Sequence, residues 1–155
     1  MTDFSLALRL LLWAAMLAAS TTAQAETVTG RRVFADFAYP ATTPEMEAAE
    51  RAIPQLFAKA QKAGRPITAK VARSDATTLI SLESVALCER AKGCPLLVFR
   101  DITQKPVLIS SSFQNLILDY REKGTYLIIR VWDNTTECRI SGVAKAICHP
   151  MPAKP

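Results

Sequence analysis

Four cysteines are the residues whose type and spacing could most readily support chemistry in this chain. Five residues separate Cys88 from Cys94, and nine separate Cys138 from Cys148. These spacings fit none of the common zinc frameworks, so no metal site is predicted. A thiol redox pair usually has two intervening residues and a helix after the second cysteine. Pro95 directly follows Cys94 and disfavours a helix there, which argues against redox chemistry as well.

The first 25 residues have the three parts of a secretory signal peptide. Arg9 precedes an apolar run, residues 10–19, and small residues end at Ala25, where we predict cleavage. This run is about half as long as a membrane-spanning helix, so no membrane span is expected after signal removal, and an uncleaved anchor is the weaker alternative. The sequence therefore predicts an exported, periplasmic protein. The mature chain would be one domain, residues 26–148, followed by a Pro-rich tail, residues 149–155.

An exported chain with an even number of cysteines is expected to form disulfides, here two. Four cysteines allow three pairings, which the sequence leaves open. We favour bonds between sequence neighbours, Cys88 with Cys94 and Cys138 with Cys148, because each pair brackets a turn-like segment. The entropy of closing such short loops gives about 2 to 3 kcal/mol of stabilisation per bond.

Carboxylates offer the main route to catalysis, since a glycoside hydrolase needs only two acids at a set separation. Asp101, Asp119, Asp133 and Glu137 fall in or beside predicted strands and could converge. Asp101, Asp133 and Glu137 are also at strand ends and turns, where ordinary surface acids occur. Asp119 alternates with apolar neighbours, as expected of a solvent-facing residue of a strand. His149, the single histidine, lies in the Pro-rich tail, which positions a catalytic base poorly. We assign no catalytic residue, and a small hydrolase acting on peptidoglycan or polysaccharide is the alternative function.

One predicted strand, which begins at Tyr126, has a surface typical of binding sites. One side carries Tyr126, Arg130 and Trp132, and aromatic rings beside a cation are enriched where proteins bind partners. The residues expected on the core side are Leu127, Ile129 and Val131. The competing interpretation is that the sheet is covered on both sides and that Trp132 packs beneath a helix or the tail.

The net charge bears on the kind of partner. The formal net charge of the 155 residues is +5, and the basic residues are spread evenly, which argues against a nucleic-acid partner. This excess is compatible with attraction to an anionic envelope polymer. The predicted function is a non-catalytic binding or interaction module for another protein or such a polymer, with no cofactor.

Prolines, glycines and apolar spacing indicate the elements that position these residues. Thr42 and Glu45 predict a capping box at the start of a helix that Gly64 ends and that Pro54 either kinks or splits in two. Beyond Pro66, alternating apolar residues predict strands whose connections are too short for crossover helices. The expected fold class is α+β, an N-terminal kinked helix packed on a four- to six-stranded antiparallel meander.

The segment around the first two cysteines resembles a motif of small, largely uncharacterised exported proteins of Gram-negative bacteria. It runs from Cys88 to Cys94, with Gly93 before the second cysteine and the apolar run 95–99 after it. The resemblance covers at most residues 66–133. It implies export and a β-hairpin clamped by the Cys-x5-Cys bond, and it brings no activity or catalytic residue with it.

Overall fold

The computed structural model describes residues 30–74, 77–141 and 145–152. The predicted signal peptide, residues 1–25, and the end of the predicted tail, residues 153–155, lie outside the described residues. The described chain forms two helices and two five-stranded antiparallel sheets. The helices pack on one face of one sheet, and the other sheet packs on the opposite face of that same sheet, so the described residues form three layers.

The helices are α1 (Thr43–Ala52) and α2 (Pro54–Lys62). The capping box predicted before α1 is present, with the Thr42 backbone N–H donating to Glu45 Oε2 at 2.7 Å. Ile53 separates the helices with φ −140° and ψ 58°. Pro54 has no N–H and disfavours the helical region for the residue before it. Of the two alternatives at Pro54, the split into two helices is therefore the one that forms, and the single kinked helix of the expected fold is wrong. Neither described helix has the length and apolar character needed to cross a membrane.

The strands fall into two sheets rather than one. In chain order they are β1 (Arg31–Phe34), β2 (Tyr39–Pro40), β3 (Thr68–Ser74), β4 (Thr77–Glu83), β5 (Cys94–Phe99), β6 (Leu108–Phe113), β7 (Asn115–Arg121), β8 (Gly124–Val131), β9 (Asn134–Arg139) and β10 (Ile147–Pro150). Sheet A has the order β1-β7-β8-β9-β10, and sheet B has the order β2-β3-β4-β5-β6. The single four- to six-stranded meander is therefore wrong, although the α+β class holds. Strands β3 to β8 lie in segments where strands are predicted, whereas β1, β2, β9 and β10 are too short or too polar to be predicted.

The two sheets differ in how many of their faces are buried. Sheet B is buried on both, against the helices through residues such as Val71 and against sheet A through residues such as Leu79. For this reason β5 is an apolar run, buried throughout after Cys94. Sheet A has another described element packed on one face only, and the sequences of β7 and β8 accordingly alternate over much of their length. The predicted inward residues Leu127, Ile129 and Val131 do pack in the core between the sheets.

Both disulfides join sequence neighbours, Cys88 with Cys94 and Cys138 with Cys148. Cys94 begins β5, but Cys88 follows a turn beyond the end of β4, so this bond closes a loop rather than the ends of two paired strands. Cys138 and Cys148 are directly opposed on β9 and β10. The second bond therefore fastens the edge strand of sheet A to its neighbour.

Candidate binding face

The outer face of sheet A is the side turned away from sheet B. No helix or strand of the described residues packs on it, because both helices lie on the far side of sheet B. The strand register determines its side chains, since directly opposed residues share a face. The outer face is formed by Arg32, Phe34, Asn115, Ile117, Asp119, Arg121, Tyr126, Ile128, Arg130, Thr135, Glu137, Arg139, Ile147 and His149.

A buried carboxylate lies within this face. Asp119 is 2% exposed and accepts hydrogen bonds from Arg32 Nε at 3.2 Å and from Arg121 Nε and Nη2 at 2.9 and 2.8 Å. Arg121 also donates to the Glu137 carboxylate, and its guanidinium lies 4.2 Å from the centre of the Tyr126 ring. Burial raises the pKa of Asp119, but the hydrogen bonds from Arg121 and Arg32 outweigh it, so the pKa lies below its ordinary value. The hydrogen bonds to Glu137 and Asp119 raise the pKa of Arg121.

Two of the four acids considered for hydrolysis come together. Asp119 and Glu137 both contact Arg121 Nη2, whereas Asp133 lies in the turn between β8 and β9. Asp101 accepts two hydrogen bonds within its own loop, at 2.8 and 2.7 Å. A general acid needs a raised pKa to hold its proton, and the lowered pKa of Asp119 is the opposite of that requirement. Asp119 is therefore unsuited to the role of general acid, and Arg121 holds it together with Glu137 in one ion-pair network.

The three residues predicted for binding do not all lie on one strand. Tyr126 and Arg130 lie on the outer face of β8, the first half-buried and the second exposed. Trp132 lies beyond β8, in the two-residue turn to β9, where its φ of 56° ends the alternation. Its side chain is 56% exposed, so it is not packed beneath another element. Arg130 Nε donates to the Trp132 carbonyl at 3.1 Å, which holds these two residues together at one end of the face.

Gln114 fixes the position of this turn. Its Oε1 accepts from the Trp132 N–H at 2.7 Å, and its Nε2 donates to the Ala91 carbonyl at 2.5 Å. Ala91 lies in the loop closed by the Cys88–Cys94 bond. The disulfide-closed loop of sheet B is thereby tied to the turn of sheet A that carries Trp132.

The outer-face residues at the two edges of sheet A were not predicted from the sequence. Phe34 on β1 and Ile147 on β10 are 71% and 51% exposed. His149, expected in an extended tail, lies on β10 opposite Glu137. Each edge strand has four residues, too few for alternation to signal a strand on its own.

The outer face has an excess of positive charge. It carries four arginines and two carboxylates, and Arg130 and Arg139 form no ion pair with a described acid. Arg139 on β9 lies directly opposite Tyr126, and Tyr126 precedes Arg130 by four residues on β8. Standard strand geometry places the Cα atoms of these two arginines about 14 Å apart. Two guanidinium groups without an acidic partner in the described part of the chain therefore lie on either side of the half-buried Tyr126 and the buried Ile128.

Comparison with protein-family models, with curated proteins and with solved structures finds no match to this chain. Among the described residues there is also no group of three or more side chains that could hold a metal ion. The outer face of sheet A is the candidate site on geometric grounds alone.

Proposed function

We propose that this protein is a non-catalytic binding module that acts in the periplasm through the outer face of sheet A, on another protein or an anionic envelope polymer. The observation that carries the proposal is a face that no described element covers, on which Arg130 and Arg139 have no acidic partner among the described residues. These two arginines lie on either side of Tyr126 and Ile128. Arginine and aromatic side chains are enriched at binding hot spots. An anionic partner would neutralise the two guanidinium groups and give the contact its specificity.

The backbone at Trp132 supports a role for this residue beyond stability. Trp132 has a left-handed φ, which costs a non-glycine residue about 1 to 2 kcal/mol. Glycine or asparagine is the residue usually found at such a turn position. The exposed indole recovers little of this cost by packing. Backbone strain of this kind concentrates at functional sites, which agrees with a partner that covers Trp132.

Export is part of the proposal. The signal-like residues 1–25 and the resemblance to small exported proteins of Gram-negative bacteria favour the periplasm. Two disulfides and no free cysteine among the described residues are compatible with an oxidising compartment.

Two single variants test the face without disturbing the core. Arg130→Glu reverses an exposed charge, and Trp132→Gly removes the indole while supplying the residue that the turn prefers. Arg65→Glu is the matched control, since it makes the same charge reversal at an exposed site in the loop after α2. Thermal unfolding verifies that each variant keeps its fold.

Binding is measured by co-sedimentation with purified peptidoglycan and with an anionic polysaccharide, and by periplasmic cross-linking for a protein partner. We expect Arg130→Glu and Trp132→Gly each to weaken binding about fivefold or more, and Arg65→Glu to have no effect. A variant with Tyr126, Arg130 and Trp132 all changed to alanine that still captures the same partners undiminished would rule out this face.

A further inference from the structure

A second candidate site lies at the side of the molecule where β1 of sheet A and β3 of sheet B are neighbours. It is a cleft of about 600 Å³. The cleft is open because β2 has only two residues, which pair with Lys70 and Val71. Residues 72–74 of β3 therefore have no described strand beside them on that side. The shortness of β2 creates the space that a longer edge strand would fill.

The walls of this cleft are mostly apolar and aromatic. They include Val33, Phe34, Tyr39, Ala72, Leu118 and Tyr120. Ligand sites in proteins are typically clefts of about 300 to 1,000 Å³ with apolar and aromatic walls and a few polar groups. The size and lining of this cleft suit a small molecule with an apolar body.

The charged groups of the cleft indicate which head group such a molecule would carry. Arg73 is already engaged, since Glu45 accepts from its Nε at 2.9 Å and from its Nη2 at 2.7 Å. Arg31 is exposed, and its guanidinium makes no ion pair or hydrogen bond with a described residue. The carboxylate among the described lining residues is that of Asp36, which follows the last residue of β1. Arg31 is the first residue of β1, so the two charged groups are at opposite ends of this strand. The charge left for a ligand at the Arg31 end is positive.

We propose that this cleft binds a small organic acid, with an apolar chain or ring between the two sheets and its acidic head group on the Arg31 guanidinium. A guanidinium presents two parallel N–H groups to a carboxylate, sulfonate or phosphate, and such charge-assisted bonds are stronger than neutral ones. The apolar body would cover the walls that are open to water in the free protein. This inference does not depend on the function proposed for the outer face, and the two sites share only the ring of Phe34.

Octanoate and 1-octanol are suitable probes because they have the same chain length and differ in the charge of the head group. Acetate has the head group without the chain. Each is titrated into the 15N-labelled mature protein, and the binding site is read from backbone amide shifts. We expect octanoate to shift amides of β1 and of residues 72–74, octanol to bind about tenfold more weakly, and acetate to cause no saturable shift.

Two variants test the roles assigned to the head group and the walls. Arg31→Gln should lower octanoate affinity about tenfold, to the level of octanol, and leave octanol binding unchanged. Tyr39→Ala should weaken both probes, since it removes a wall rather than a charge, and its side chain is 62% exposed, so the fold should tolerate the change. Arg65→Gln, outside the cleft lining, controls for the loss of one positive charge.

Three results would overturn the proposal. The first is that octanoate shifts backbone amides away from the cleft. The second is that octanoate and octanol bind with equal affinity. The third is that the Arg31→Gln variant binds octanoate as tightly as the unaltered protein. Any of these would show that the cleft is not a site for an organic acid, and none of them bears on the outer face.

Discussion

Glu45 joins the start of α1 to β3 through one carboxylate. It is 4% exposed, accepts from both the backbone N–H and the hydroxyl of Thr42, and forms a two-point ion pair with Arg73. Burial raises the pKa of Glu45, but the hydrogen bonds from Arg73 and Thr42 outweigh this effect, so the pKa lies below its ordinary value. A single side chain thus serves as a helix cap and as a link between two layers.

We predict that Glu45→Gln lowers the free energy of unfolding by about 2 to 3 kcal/mol at pH 7, because it removes a charged cap and leaves Arg73 without its acid. Urea denaturation measures the change. Glu47→Gln, an exposed site on the same helix, is the control and should cost about 0.5 kcal/mol or less. Equal losses in the two variants would show that the link between α1 and β3 contributes nothing.

Gly93 is required by both its backbone and its surroundings. Its φ is +90°, and a Cβ at this position would lie 1.9 Å from the Phe113 carbonyl oxygen. The loop closed by the Cys88–Cys94 bond therefore approaches the end of β6 at backbone distance, which only glycine allows.

We predict that Gly93→Ala destabilises the fold by about 2 kcal/mol or more, because the new methyl group displaces the loop from β6. Gly64→Ala is a matched control, since Gly64 also has a positive φ, +63°, but has open space around it. That control should cost about 1 kcal/mol. Thermal unfolding compares the two variants, and an equal shift in Tm would mean that the loop is free to move away.

At the scale of elements, β10 is the strand most dependent on a covalent bond. All four of its residues are exposed, and it is paired on one side only, with β9. Such a short edge strand gains little from packing. The Cys138–Cys148 bond supplies the restraint that burial does not.

We predict different effects from removing each disulfide. Replacing Cys138 and Cys148 with alanine should increase hydrogen exchange in β10 and leave β7 and β8 protected. Replacing Cys88 and Cys94 should leave β10 protected and instead increase exchange around Trp132, because the loop that Gln114 ties to that turn is released. Each removal should cost about 2 to 3 kcal/mol. Exchange that rises uniformly in both variants would contradict separate roles for the two bonds.

For the whole molecule, two buried carboxylates make stability depend on pH. Glu45 links the helices to sheet B, and Asp119 links β1 to β7 through Arg32. The pKa of each lies below its ordinary value, 4.5 for Glu45 and 3.8 for Asp119. Each therefore contributes stability that is complete above its ordinary pKa and is lost as the pH falls through the lower pKa of the folded state.

We predict that the free energy of unfolding is nearly constant from pH 7 to pH 5 and decreases below about pH 4. Urea denaturation at a series of pH values measures it. The double variant Glu45→Gln/Asp119→Asn should be less stable at pH 7 and show a shallower decrease in acid. A decrease of the same size in the variant would assign the acid sensitivity to other carboxylates.

Features that depend on a few neighbouring residues could be determined from the sequence. The capping box at Thr42 is such a feature, and of the three possible disulfide pairings the favoured one, between sequence neighbours, is the one that forms. The alternation of β7 and β8 also assigned Tyr126 and Arg130 to the side opposite the core. Local hydrogen bonds and the strand period decide each of these.

The tertiary structure alone decided how the strands divide into two sheets and what each face carries. Arg32 donates a hydrogen bond to Asp119, which is 87 residues away in the sequence. The pairing of β1 with β7 brings these residues together, and the Asp119 carboxylate, expected to face solvent, is buried. Trp132 leaves the strand pattern because the β8–β9 pairing makes it a turn residue. Long-range strand pairing depends on which surfaces remain uncovered when the other elements have packed, and no local spacing encodes that.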